Sequence, residues 1–151
     1  MTIEIQPVDA GDAEAQRLVA ELDADLDRRY PGLPAHGIDA GEFRAAGGYF
    51  VLLRSGGEAV GCGAFRPVET GRAEIKRMFV REPCRGHGFA KLILRHLEGE
   101  ARRRGFRGLV LETGVGQPEA IGLYQSSGYF PIPNYGSYAG NLNSRCFARR
   151  A

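Results

Sequence analysis

Residues 80–105 read VREPCRGHGFAKLILRHLEGEARRRG, and their character changes partway along. Pro83, Gly86 and Gly88 come first, and then Ala90, Leu94, Leu97 and Ala101 fall at helical spacing. A bare turn therefore leads straight into an amphipathic helix. The simplest reading is a tight strand-to-helix connection. A second reading is chemical: a helix leaves its first N–H groups unpaired, its dipole makes that end positive, and glycines let an anion approach the backbone. Arg85-Gly86-His87-Gly88-Phe89-Ala90 offers that arrangement. It is not a nucleotide P-loop, because no G-K-[ST] follows. It also lacks the third glycine and first-strand location of a dinucleotide fingerprint.

Working outward, the segments alternate. TIEIQPV alternates as a strand does, and residues 12–29 place Ala15, Leu18, Val19, Leu22 and Leu26 on one helical face. YPGLPAHG is a breaker-rich loop before a short helix near 39–45, with Asp39 as its N-cap. GYFVLLRSGGEAVGCGAFRPV forms two strands joined at Ser55-Gly56-Gly57-Glu58. RAEIKRMFV is a further strand, and the helix after the glycine turn runs to Arg104 and stops at Gly105. RGLVLETG is a strand, and QPEAIGLYQSSG is a helix with Pro118 in its first turn and Gly128 as its stop. YFPIP and SRCFARR are two last strands around the loop NYGSYAGNLN. This order predicts one α/β domain over residues 1–151, with a mixed, mostly antiparallel central sheet flanked by helices.

Composition narrows the function. A chain of 151 residues can bury a core without disulfides or metals. Cys62, Cys84 and Cys146 are odd in number and lack C-x-x-C spacing, which disfavours a disulfide frame or a zinc site and suits a reducing cytoplasm. No apolar run approaches a membrane span, and the acidic N-terminus does not read as a signal peptide. Residues 1–50 carry ten acidic and four basic side chains, and residues 51–151 carry eight acidic and sixteen basic. The basic part suits a phosphorylated small molecule better than nucleic acid, since aromatic residues are not interleaved with the basic ones. The run Arg102-Arg103-Arg104 reads as a solvated helix end.

Three stretches together carry a resemblance. Arg85-x-x-Gly88-x-Ala90 is similar to the [Q/R]-x-x-G-x-[G/A] signature of the GNAT N-acetyltransferase superfamily. AEIKRMFV resembles that family's fourth strand, and PEAIGLYQSSGY its A-I-x-L-Y helix and following strand. They occur in family order over residues 58–132. The resemblance implies transfer of acetyl from acetyl-CoA, without a metal, to an amine by direct attack on the thioester. It places the pyrophosphate at Arg85, Gly86, His87, Gly88, Phe89 and Ala90, with support from Lys91, and the pantetheine along the main chain of Met78, Phe79 and Val80. Many members have Asn where this chain has Gln117, which keeps the amide on a longer arm.

The same resemblance gives Tyr124 the general-acid position and Glu74 the position of a general base. The alternative for Tyr124 is a packing tyrosine, and for Glu74 a cross-strand partner for a basic residue. His87 reads as a loop residue, and Cys84 lies away from the reacting carbonyl. The acceptor is expected to be a small-molecule amine, with peptide or protein amines and a non-catalytic sensor as alternatives. Neither nucleic acid nor membrane is an expected partner, and pairing into a homodimer is left open. Glu21, Asp23, Asp25 and Asp27 could draw in a cationic amine or form a solvated face, and Tyr30, Tyr135 and Tyr138 could wall its site.

Overall fold

A computed structural model describes residues 1–33 and 39–151. The second half of the loop expected at YPGLPAHG, residues 34–37, therefore lies outside the described residues. The elements are β1 (Ile3–Val8), α1 (Ala13–Arg29), α2 (Ala40–Ala45), β2 (Tyr49–Ser55), β3 (Glu58–Glu69), β4 (Arg72–Val80), α3 (Phe89–Arg103), β5 (Gly108–Gly114), α4 (Pro118–Ser126), β6 (Phe130–Ile132) and β7 (Ser144–Arg150). Asp12 caps α1 by accepting from the N–H groups of Glu14 and Ala15, and Asp39 caps α2 through Glu42.

The seven strands form one sheet in the order β1-β2-β3-β4-β5-β7-β6. All neighbouring pairs are antiparallel except β4 with β5, which α3 connects as a crossover. The sheet is thus mixed and mostly antiparallel, as its segment pattern predicts.

Alternation along the strands builds two cores. Val51 and Leu53 join Ile75, Leu109 and Leu111 beneath Ile93, Leu94 and Leu97 of α3. Phe50 and Leu52 point the other way, packing with Cys62 and Ala64 against Ala15, Leu18 and Leu22 of α1. No described helix is long and apolar enough to cross a bilayer.

The alternation of β4 breaks at Arg77. Ala64 pairs with Lys76 and Cys62 with Phe79, so Gly63 alone faces both Arg77 and Met78. Arg77 takes φ 59°, a left-handed conformation that an L side chain adopts at a cost of about 1–2 kcal/mol. This bulge reverses the strand's facing. Ala73 and Ile75 belong to the α3 core before it; Val80 belongs there after it, while Phe79 joins the α1 core.

Candidate active site

The parallel ladder between β4 and β5 is short. Arg72 pairs with Gly108 and the register ends at Ile75 with Leu111. β4 continues to Val80 and β5 to Gly114, so the strands separate from Lys76 and Glu112 onward. Their facing edges beyond that point carry main-chain N–H and C=O groups without a partner strand. The cleft that opens there has a volume of about 190 Å³ and passes through the sheet. Tyr124 of the α3-side core lines it together with Leu22, Leu26 and Tyr30 from the α1 side.

Tyr124 is buried, with its ring edge-on to Tyr129 at 5.8 Å between centroids. Burial, then the negative charge of Glu112, pushes its phenol well above the ordinary value. It therefore stays protonated, a hydrogen-bond donor held at the cleft wall.

Glu74 stands elsewhere. It is 2 % exposed, with Arg66 Nε donating to its Oε1 at 3.0 Å and the Tyr135 hydroxyl donating to its Oε2 at 2.7 Å. Lys76 Nζ lies 3.8 Å from Oε1. Glu74 is not among the residues lining the cleft; Lys76 and Glu112 are. The cross-strand partnership open in the sequence is thus formed, by Arg66 on β3.

Glu112 and Lys76, which the motifs leave unmarked, are the first residues of β5 and β4 past the last pair. Ser144 Oγ of β7 donates to Glu112 Oε2 at 2.7 Å. Lys76 Nζ donates to the Tyr138 hydroxyl at 3.1 Å. Burial holds the Lys76 ammonium below its ordinary pKa, with Arg66 and Arg77 adding to that shift and Glu74 and, more weakly, Glu112 opposing it. A signal existed: Glu74, Lys76 and Glu112 set charge among the apolar residues Ala73, Ile75, Leu109, Val110 and Leu111.

The acidic residues of α1 are mostly tied to arginines, a correction to the expected amine-attracting or solvated face. Glu21 accepts from Arg81 at 3.0 Å, Asp23 from Arg77 at 3.3 Å, and Asp25 from Arg29 at 3.1 Å. They fix α1 to the bulge, to the strand end and to its own last turn. Asp27 alone of the four lines the cleft. The three tyrosines also divide: Tyr30 and Tyr138 line the cleft, while Tyr135 holds Glu74 behind it.

Tyr30 closes the other end. Its ring lies where a Cβ on Gly114 would fall, and its hydroxyl accepts from Gly116 N at 3.0 Å and donates to Gln117 Oε1 at 3.1 Å. Gln117, at the start of α4, thus turns its amide oxygen to Tyr30 while lining the cleft.

The glycine turn follows β4 directly. Gly88 is the N-cap of α3 with φ 79°, no side chain caps the helix, and its first turn contains no acid. A Cβ on Gly86 or Gly88 would meet nothing within 4 Å, so the space over the turn is open. Phe89 and Ala90 pack against the core, and Lys91 is exposed.

Arg85 is drawn back rather than outward. Its Nε donates to the Val80 carbonyl at 2.9 Å, and its guanidinium lies 5.6 Å over the Phe79 ring and 3.7 Å from Asp25. His87 is exposed, stacks on Phe89 and has Nδ1 3.1 Å from the Cys84 carbonyl, a loop role. Met78, Phe79 and Val80 direct their side chains into packing, so main chain is the surface they offer, with the Val80 carbonyl already accepting from Arg85.

These residues fit a thioester carried on a long polar arm ending in phosphates. The open, uncapped helix start suits the anion, and the unpaired strand edges suit an amide-bearing arm. Thr113, at the cleft wall, keeps a buried hydroxyl with no hydrogen-bond partner among the described residues.

Similarity to known proteins agrees. The profile of the Acetyltransferase (GNAT) family matches residues 13–129. An IAA acetyltransferase from Azospirillum brasilense is 38% identical over 123 residues, 81% of this chain and 80% of that protein. A crystal structure from Klebsiella pneumoniae, provisionally assigned as an acyl-CoA N-acyltransferase, superposes with a TM-score of 0.83 at 32% identity, covering 99% of this chain and 97% of the other. A GNAT acetyltransferase from Elizabethkingia anophelis with acetyl-CoA bound shares the fold at a TM-score of 0.72 and 19% identity, over 99% and 98% of the two chains. The chain belongs to the GNAT family and is an acyl-CoA-dependent N-acetyltransferase.

Proposed function

We propose that the protein moves the acetyl group of acetyl-CoA onto a small primary amine in the cleft between β4 and β5. The observation that carries this is the cleft itself, which joins Tyr124 on one face of the sheet to Glu112 on the other. The N–H groups at the start of α3, with Gly86 and Gly88 beneath open space, receive the pyrophosphate. Lys91 adds charge there; Arg85 shapes the turn. The main chain of Met78, Phe79 and Val80, with Gln117 opposite, lines the path of the arm.

In the reaction, the acceptor nitrogen forms a bond to the thioester carbon and the carbon–sulfur bond breaks. Tyr124 donates its proton to the departing sulfur. A phenol with a raised pKa is a weak acid, so the transfer depends on the thiolate being buried beside it and equally short of water. The nitrogen releases its proton to Glu112, whose carboxylate lines the cleft and is oriented by Ser144. Glu74, engaged by Arg66 and Tyr135, acts behind this pair as a positioning residue for Lys76 and Tyr135.

An amine panel supplied with acetyl-CoA, read by released thiol, tests the reading. Thiol release that depends on an amine and is lost in Tyr124→Phe supports it. Acetyl-CoA binding without release from any amine supports a sensor and overturns it.

A further inference from the structure

We propose that the acceptor is an α-amino acid with an apolar side chain, its carboxylate taken by Lys76 and its amine by Glu112. The inference rests on the acetyl-transfer reading and names the acceptor of that same cleft.

It follows first from register. Ile75 and Leu111 are the last paired residues, so Lys76 and Glu112 are the next residues on neighbouring parallel strands. Side chains at such positions leave the same face, from backbones roughly 5 Å apart and widening. One presents an ammonium and the other a carboxylate, both into the cleft. An amine and a carboxylate separated by a single carbon would complement the two charges together.

Lys76 shares its nearest carboxylate with an arginine rather than holding one for itself. Glu74 Oε1 lies 3.8 Å away and is held more closely by Arg66 at 3.0 Å. The closer partner of Lys76 is the neutral Tyr138 hydroxyl at 3.1 Å. Arg77, the other cation of the cleft lining, is paired with Asp23. Lys76 is therefore the cation placed to receive an incoming anion, and its 13% exposure excludes most of the water that would screen it.

The remaining wall suits a hydrocarbon. Leu22, Leu26 and Tyr30 line the α1 side, and Leu33 lines it while 46% exposed. A polyamine would bring a second cation against Lys76 and Arg77, and a lysine side chain or peptide N-terminus would bring no carboxylate to Lys76.

Leucine, leucinamide and 3-methylbutylamine separate these cases, being one apolar skeleton with a carboxylate, a neutral amide and neither. Each is offered with acetyl-CoA to the wild-type protein, and kcat/KM is read from thiol release. The expected result is a preference for leucine over both of at least about tenfold, although the less basic amine of the amide is more often neutral. Lys76→Gln should collapse that ratio toward one, and Lys76→Arg should keep its direction. Equal or better rates for the amide or the plain amine overturn the inference while leaving acetyl transfer intact. So does turnover confined to polyamine or peptide acceptors. Absence of thiol release from every amine overturns both readings. The wild-type ratio decides even if a Lys76 variant fails to fold.

Discussion

The Tyr135 hydroxyl donates to Glu74 Oε2 at 2.7 Å, from a loop residue to a strand carboxylate that is 2 % exposed. With Arg66 on the other oxygen, this joins β3, β4 and the loop before β7. Glu74→Gln keeps the size but loses the charge, and should cost about 1–3 kcal/mol of unfolding free energy. The rising limb of kcat/KM with pH should keep its midpoint in this variant. Glu112→Gln should remove or displace that limb, because Gln accepts no proton. Urea unfolding and pH–rate curves on both variants decide. A limb displaced by Glu74→Gln but not by Glu112→Gln would return the base to Glu74.

Tyr124→Phe removes one oxygen from a buried ring that packs on Tyr129. The fold should persist and acetyl-CoA affinity should change little. The turnover number should fall by roughly 10²–10⁴-fold, the range for a lost general acid. Steady-state kinetics beside calorimetric titration checks this. A near-normal kcat would reduce Tyr124 to packing.

Gly88 starts α3 at φ 79°, where a side chain is strained by about 1–2 kcal/mol although it would touch no protein atom within 4 Å. Gly88→Val should therefore fold, while its methyl groups occupy the space an anion needs. Acetyl-CoA affinity should weaken by at least about tenfold. Gly99, inside α3 with nothing within 4 Å of an added Cβ, is the control. Gly99→Ala should leave affinity unchanged and add about 0.5–1 kcal/mol of stability. Equal affinity in the two folded variants would remove the phosphate from the turn.

Much of this was legible in the residues, for local reasons. Strand alternation, the Asp39 cap and the stops at Gly105 and Gly128 are read within a few residues, and the elements follow them. The open glycine turn was legible because a helix start and its glycines are contiguous. The cleft floor was not, because it arises where two strands far apart in sequence cease to pair. Nothing in AEIKRMFV announces that Arg77 will bulge, since a non-glycine residue at positive φ is imposed by its surroundings. The motif therefore points to Glu74, whereas the separation of β4 from β5 brings Lys76 and Glu112 to the cleft. The acids of α1 look solvated until the fold sets Arg77 and Arg81 beside them.

The last turn of α3 offers a test of pH dependence remote from the cleft. Glu100 accepts from Arg103 Nη2 at 2.6 Å and from Arg104 Nε at 2.9 Å. The Arg103 contact first, and that of Arg104 after it, hold its carboxyl near about 2 against an ordinary 4.5. A carboxyl with a depressed folded pKa stabilises the fold above its unfolded pKa, and loses that contribution as pH falls through the folded value. Glu100→Gln should thus be less stable than wild type at pH 6, and the gap should close between about pH 4.5 and pH 2. The gap should stay below about 1 kcal/mol, because Arg103 is 71% exposed and solvent screens the pair. Thermal melts of both proteins across that range, repeated in 1 M salt, measure it, and salt should shrink the gap at pH 6. A gap that stays constant from pH 6 to pH 2 would mean that Glu100 stabilises α3 through packing of its methylenes, with its charge contributing nothing.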